Sequence, residues 1–464
     1  MAKMGNFWDF NTWGSFNLLA VLLLSLLAAN GLKRICRPLG NSLVPTSVLG
    51  GLLLLGVAGI YKLVTGDLFF DTPFFGGNGM DNLEIITYHT LALGFIASAY
   101  KTSENRLSKK RSTEIFNAGI TTVSTYLLQA VLGMVVTMIA ACIMTDFFSA
   151  AGLLLPFGYG QGTGQAMNYG NIYETQYGFE GGKSFGLTIA ALGFLSASIG
   201  GTIHLYILKR RGQLPEARIE DGEMKGQAIQ GKDEIPMNGS MDKLTVQFAL
   251  IAGAYMLTFF LMTLLGMALP GMKPVIFGFN FLVGVLSASL ISIIIRRLHK
   301  MGIVKKQHTN NFLLTRVSNF FFDIMVVAGI AAIRLGILEK YWGVILILGL
   351  SGALVTYFYN RVVAKALFPD YMEQQFVSMY GMLTGTASTG IVLLREIDGN
   401  FETPAADNIV YQTIPAIIFG FPLMLLATLA PVKPVLTLMI LFLFFLVMNV
   451  ILFRSKLFGK KSAS

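Results

Sequence analysis

The chain has 464 residues, 54% of them hydrophobic and only 13% charged, with a mean hydropathy of +0.64. Such a chain has too little polar surface to be solvated as a water-soluble globule, which leaves a polytopic membrane protein. Its 35 Lys and Arg against 25 Asp and Glu give a formal charge of +10. No basic soluble segment carries that excess, so it fits membrane topology and attraction to anionic lipid and excludes nucleic acid as the partner.

At about 20 apolar residues per crossing, predicted spans in the first half run over 15–32, 42–64, 83–100, 115–145 and 183–208. The first begins too late and runs too long for a cleaved signal peptide and is read as retained. His89 falls in the third span, where it reads as a satisfied core histidine. The stretch 148–170 is apolar at its ends but polar and Gly-broken at its centre, which suits a re-entrant hairpin buried in protein better than a lipid-facing helix. Asp146 reads as a solvated cap near its entrance, and Tyr159, Tyr169, Tyr173 and Tyr177 as an interfacial aromatic belt. Cys36 at a span boundary and Cys142 within a span predict no disulfide.

Residues 209–241 change composition abruptly, with many Arg, Lys, Asp and Glu and few large apolar side chains, and read as a solvated loop. Spans then follow over 242–269, 274–295, 312–333, 341–365, 406–429 and 433–453, making eleven in all. Asp323 lies about a dozen residues into the eighth, at a depth where an ionisable group is a functional hypothesis. It reads either as a coupling-ion or proton site or as half of a structural ion pair, with His89 at nearly the equivalent position of the third span. A second Gly-rich hairpin is predicted over 374–394. Pro415 and Pro422 should kink the tenth span and, with Gln412 and Thr413, bring it to the site. The final span, nearly free of polar residues, reads as a lipid-facing accessory helix.

The two hairpins share a phrase. Gly160-Gln161-Gly162-Thr163-Gly164-Gln165-Ala166 and Gly381-Met382-Leu383-Thr384-Gly385-Thr386-Ala387 both fit G-x-x-T-G-x-A, 221 residues apart. Leu91 to Ala97 and Val326 to Ala332 correspond in the same order. With the N-terminus outside, 28 of the 35 basic residues fall in inside segments and seven outside, which predicts N-out and C-in. Five spans per unit is an odd number, so the second unit enters the membrane inverted. The expected organisation is an all-α inverted repeat of two five-helix units, 1–208 and 242–430, joined by the linker 209–241 and followed by an accessory helix and tail over 431–464. Interrupted segments at corresponding places in two inverted halves are the mark of a secondary transporter whose substrate sits where the breaks meet.

Gly lets the backbone leave the helix, and a broken helix offers unpaired N–H groups at one half and unpaired carbonyls at the other. Gln161, Gly162, Thr163, Gly164 and Gln165 in the first hairpin, with Thr384, Gly385, Thr386, Ser388 and Thr389 in the second, are the expected contacts of a small anionic or amino-acid substrate. Asn168, Asp323, Gln412 and Thr413 are candidates for the coupling cation. Close packing of small residues is the other reading of these Gly and Thr. Arg395 is either a carboxylate clamp or a cytoplasmic Arg paired with Glu396 and Asp398. Without HExxH, a Cys/His cluster or a phosphate-binding loop, no enzyme and no cofactor beyond the coupling ion is expected. An ion channel built on paired half-helices is the alternative from another class.

The first phrase, with Tyr177-Gly178-Phe179 and the Gly193 to Gly201 segment after it, resembles the first re-entrant loop of the bacterial sodium/glutamate symporter family. Gly381 to Ile391, followed by the Pro415 to Pro422 helix, sits where that family has its second hairpin. The resemblance implies a cation-coupled carrier of the inner membrane, generally dimeric, moving a transport part against a scaffold in an elevator-like way, with Na⁺ as coupling ion and glutamate as substrate. Departures from the family pattern are Gln161 where it has His, Ser388, Val392 and Leu393 where it has a Pro and an Ala-Asn pair, and Asp323 where it is apolar. The alternative within carriers is a proton- or sodium-coupled carrier or exchanger of another small organic anion.

Overall fold

The computed structural model describes residues 7–40, 44–101, 108–144, 147–212, 241–303, 306, 308–398 and 402–457. Asp146 and most of the 209–241 linker lie outside these residues. Among the described residues all regular structure is helical, and nine helices are long and apolar enough to cross a membrane. They are α1 (Phe10–Ile35), α2 (Thr46–Thr65), α4 (Lys109–Ile143), α6 (Gly182–Arg210), α7 (Lys243–Ala268), α8 (Asn280–Lys300), α9 (Asn311–Ala331), α10 (Leu335–Leu367) and α15 (Pro434–Leu452). The expected third span forms as α3 (Gly79–Ala99), but Asp81 and Glu84 near its start make it more polar than these nine. Large side chains such as Phe259, Leu350, Phe358 and Leu443 are more than half exposed, which suits helices whose solvent is hydrocarbon.

The tenth expected span is a broken pair, α13 (Ala405–Tyr411) and α14 (Thr413–Leu429), bent by 50°. The bend falls at Gln412 and not at either proline. Pro415 has no N–H to give the Tyr411 carbonyl, so the helix is interrupted one turn ahead of it. Helix α14 then continues through Pro422.

The described residues fall into two compact units that cut across the sequence halves. One draws on 81–106 and 220–328 and packs α3, α7, α8 and most of α9 around Ile96, Ala97, Tyr100, Ile251, Ala254, Ala288, Leu314 and Val317. Short polar links lock it internally: Ser98 meets Ser318 at 2.8 Å, and Thr258 donates to Ser287 at 3.1 Å.

The other unit, drawn from 1–80, 107–219 and 329–464, is organised by α4. At 35 residues this helix is about 52 Å long. Ser108 caps its start by accepting from the Arg111 N–H at 3.2 Å. Asn117, Thr121, Thr125, Gln129, Gly133 and Thr137 recur every four residues along it and are all buried. A polar and small-residue ladder of that period inside an apolar helix marks a face turned to protein and away from lipid. Helix α15 packs on α4 by one side only, burying Thr437, Leu441, Met448 and Leu452.

Candidate functional site

Both Gly-rich stretches fold as helix-break-helix hairpins in the unit built on α4. In the first, a 3₁₀ turn (Ser149–Leu153) leads into α5 (Leu154–Tyr177), which is two half-helices joined at Gly162. Gly162 has φ 81° and ψ −171°, a conformation open to glycine and closed to residues with a Cβ. The halves fold back on each other, so that the Phe157 and Tyr169 rings stack with centroids 3.9 Å apart. Thr137 holds the entrance, donating to the Ser149 carbonyl at 2.7 Å and accepting from the Gly152 N–H at 3.1 Å. In the second, α11 (Met372–Thr384) and α12 (Ala387–Arg395) lie side by side, with the break at Gly385 and Thr386. Thr386 caps α12 by accepting from the Thr389 N–H at 3.4 Å.

One helix binds both tips. Tyr126 Oη donates to the Gly160 carbonyl at 2.9 Å, just before the first break. Gln129 Nε2, one turn further along α4, donates to the Leu383 carbonyl at 2.9 Å, just before the second. On α6, Gly193 lies against both hairpins, with the Thr384 carbonyl oxygen and Tyr159 at the place its side chain would occupy. A Cβ at Gly193 would overlap that carbonyl, so glycine is what admits the approach.

Beside the tips, α4 and α10 cross with a reciprocal pair of contacts. Gln129 Nε2 donates to Thr356 Oγ1 at 2.8 Å, and Asn360 Nδ2 donates to Thr125 Oγ1 at 3.3 Å. In each helix the amide stands four residues after the threonine, and each amide serves the threonine of the other helix. Both amide nitrogens are committed, while the carbonyl oxygens Gln129 Oε1 and Asn360 Oδ1 are buried with no hydrogen-bond partner among the described residues. Gln165 is the reverse case: its Oε1 accepts from Asn168 Nδ2 at 3.0 Å and its buried Nε2 has no partner. Two lone acceptors and a lone donor of this kind are costly to bury unless something else fills the valence.

The remaining expected site residues divide. Thr163, Gly164, Gln165 and Asn168 are buried behind the first break, with Thr163 against Gly329, and Gln161 is half-buried. Thr384 is buried but returns its hydroxyl to the Tyr380 carbonyl at 2.6 Å, and the hydroxyls of Thr386 and Thr389 face each other at 3.3 Å. Ser388 is the second residue of α12, and its side chain is outside the description. Gln412, at the bend before α14, accepts from Thr122 at 2.8 Å and reaches Met382 Sδ at 3.3 Å, which ties it to the second hairpin. Thr413, next to it, is half-buried. Arg395 is exposed at the far end of α12, about 13 Å of helix from the tip. Asp398 accepts from the Glu402 and Thr403 N–H groups and the Thr403 hydroxyl. Asp323 belongs to the other unit and is exposed; His89 there is hydrogen-bonded to the Tyr255 hydroxyl at 2.7 Å but is also exposed, so it is not the core histidine expected.

Of the four tyrosines of the expected aromatic belt only Tyr177 is exposed, donating to the Thr428 carbonyl at 3.1 Å. Tyr159, Tyr169 and Tyr173 are fully buried, because each finds a backbone carbonyl to donate to: Gly349, Met424 and Ala427 respectively. They fasten the first hairpin to α10 and α14. Sequence reasoning passed over Tyr126, Gln129, Thr356 and Asn360, although the four-residue period of polar side chains on α4 was the available signal. It also passed over the base of the second hairpin, where Glu373 accepts from Arg361 at 3.2 Å and meets His204 Nε2 at 2.9 Å.

The fold defines an all-α polytopic membrane protein with two broken hairpins meeting on one helix. No family model matches the chain, and no curated protein or solved structure matches it.

Proposed function

We propose that the chain is a secondary active transporter that takes its substrate at the paired hairpin tips. The observation that carries the reading is the placement of both backbone breaks against α4 and Gly193, beside buried amides that each keep one atom without a partner among the described residues. The buried Gln165 donor next to the start of a half-helix suits a carboxylate. The uncommitted Gln129 carbonyl oxygen suits a small hard cation such as Na⁺. Sodium-coupled symport of glutamate or a related amino acid or carboxylate is the reading we adopt, by elevator-like alternating access, in a homodimer of the inner membrane with the N-terminus outside. The reciprocal Gln129–Thr356 and Asn360–Thr125 contacts support an inverted repeat, since a two-fold relation between α4 and α10 produces that exchange.

Uptake of labelled glutamate into proteoliposomes, with and without an inward Na⁺ gradient, tests this for wild type and Thr163→Val. Saturable, Na⁺-dependent uptake that the variant loses is the expected result. No uptake by folded protein would sink the glutamate assignment, and a screen of other carboxylates under a proton gradient would follow. Ohmic current without saturation would replace the carrier with a channel.

A further inference from the structure

The two helices that cross beside the tips repeat one phrase. Thr125-Tyr126-Leu127-Leu128-Gln129-Ala130-Val131 on α4 and Thr356-Tyr357-Phe358-Tyr359-Asn360-Arg361-Val362 on α10 both fit T-Y-x-x-Q/N-x-V, 231 residues apart. The threonine and the amide of each phrase exchange hydrogen bonds across the crossing, as two copies of one element do about a two-fold axis. Their hold on the hairpins is unequal. On α4 the phrase is engaged, with Tyr126 on the Gly160 carbonyl and Gln129 on the Leu383 carbonyl, each at 2.9 Å. Among the described residues the same two positions on α10 hold neither tip. Tyr357 Oη meets His204 Nδ1 at 2.8 Å, and Asn360 Nδ2 turns back to the Thr356 carbonyl of its own helix at 2.9 Å.

Both lie close to a tip. The Tyr357 ring rests against Phe376 and Tyr380 of α11, with centroids 5.0 and 5.6 Å away, and Tyr380 is next to Gly381. Asn360 reaches Thr125, the residue before Tyr126. Donors that are symmetric in sequence but used asymmetrically define a second arrangement, the one in which the copies exchange roles. The 221-residue offset between the hairpin phrases names the acceptors, since Gly381 stands where Gly160 does and Gly162 where Leu383 does. Gly381 is one of the last four residues of α11, whose carbonyls a helix leaves without internal partners, and Gly162 is the first break itself. The exchange trades two bonds at the tips for two, so neither arrangement starts with a surplus of them.

We propose that Tyr357 and Asn360 are a second pair of tip-positioning residues, which take the Gly381 and Gly162 carbonyls in an alternate state as Tyr126 and Gln129 let go. This handover builds on the inverted repeat of the proposed transporter and can be read without transport. Fluorine NMR of the detergent-purified chain, with 3-fluorotyrosine at position 357, reports where that hydroxyl is held. A second resonance should accompany the His204-bonded one, and Tyr126→Phe, which frees the first tip, should raise its share on the order of fivefold. Tyr173→Phe removes a bond of the same kind from the first hairpin, the one to the Ala427 carbonyl, and leaves the tip held, so it should keep the wild-type share. A single resonance in both wild type and Tyr126→Phe would overturn the handover, and so would equal growth in Tyr126→Phe and Tyr173→Phe, which would mean general loosening. Absence of uptake by a protein whose resonances do shift would sink the transport reading alone.

Discussion

Gln129 and Gln165 are both buried glutamines near the hairpin tips, yet their substitution by Leu should have different consequences. Gln129 Nε2 satisfies the Leu383 carbonyl and Thr356 at once, so Gln129→Leu strands a buried acceptor at a helix end. A loss of about 1–3 kcal/mol is expected, read as a fall in thermal midpoint in detergent. Gln165 Nε2 bonds nothing among the described residues and its Oε1 accepts only from Asn168, so Gln165→Leu removes an unsatisfied donor along with one acceptor and should lower the midpoint less than Gln129→Leu does. If the tips hold substrate, Gln165→Leu is nonetheless the variant that abolishes uptake, because its donor serves a ligand and not the fold. A stability loss in Gln165→Leu equal to that in Gln129→Leu would place this amide in the scaffold instead.

At the scale of the element, the second hairpin is anchored at its base by charge. Glu373, in the first turn of α11, lies between His204 of α6 and Arg361 of α10. The hydrogen bond from His204, with Arg361 adding to it, holds the Glu373 carboxyl below its ordinary value. A depressed carboxylate stabilises the folded form above the unfolded pKa and loses that contribution as pH falls through the folded one. Wild type should therefore lose thermal stability more steeply than Glu373→Gln as pH drops from about 5 to 3. Parallel curves for the two proteins over that window would mean that the anchor carries no charge-dependent strength. Much of this level could be read in the sequence and some could not. The spans follow from unbroken apolar runs, and both breaks sit inside the G-x-x-T-G-x-A phrases, the first at Gly162, where the positive φ calls for glycine. The bend at Gln412 was misplaced because a proline disturbs the turn before it. The tyrosines around the first hairpin could not be told from an interfacial belt, since which carbonyls they reach is a tertiary fact. The polar period of α4 marked Gln129 as facing protein, but what Gln129 and Asn360 bond was not local, because each acquires its meaning from a partner more than 220 residues away.

For the molecule as a whole, the nine apolar helices among the described residues, with half-exposed Phe and Leu, predict that the chain stays in the membrane pellet after an alkaline carbonate wash and is released only by detergent. Release by carbonate alone would contradict the polytopic reading. Helix α4 also sets a mechanical condition on anything that moves. Tyr126 and Gln129 are neighbours on one rigid rod, and each grips the lip of a different hairpin. A slide of that rod along its axis would drag both lips together, and a twist would swing them in a fixed ratio. The two mouths are thus geared to a common shaft, and neither can shift far while both grips hold.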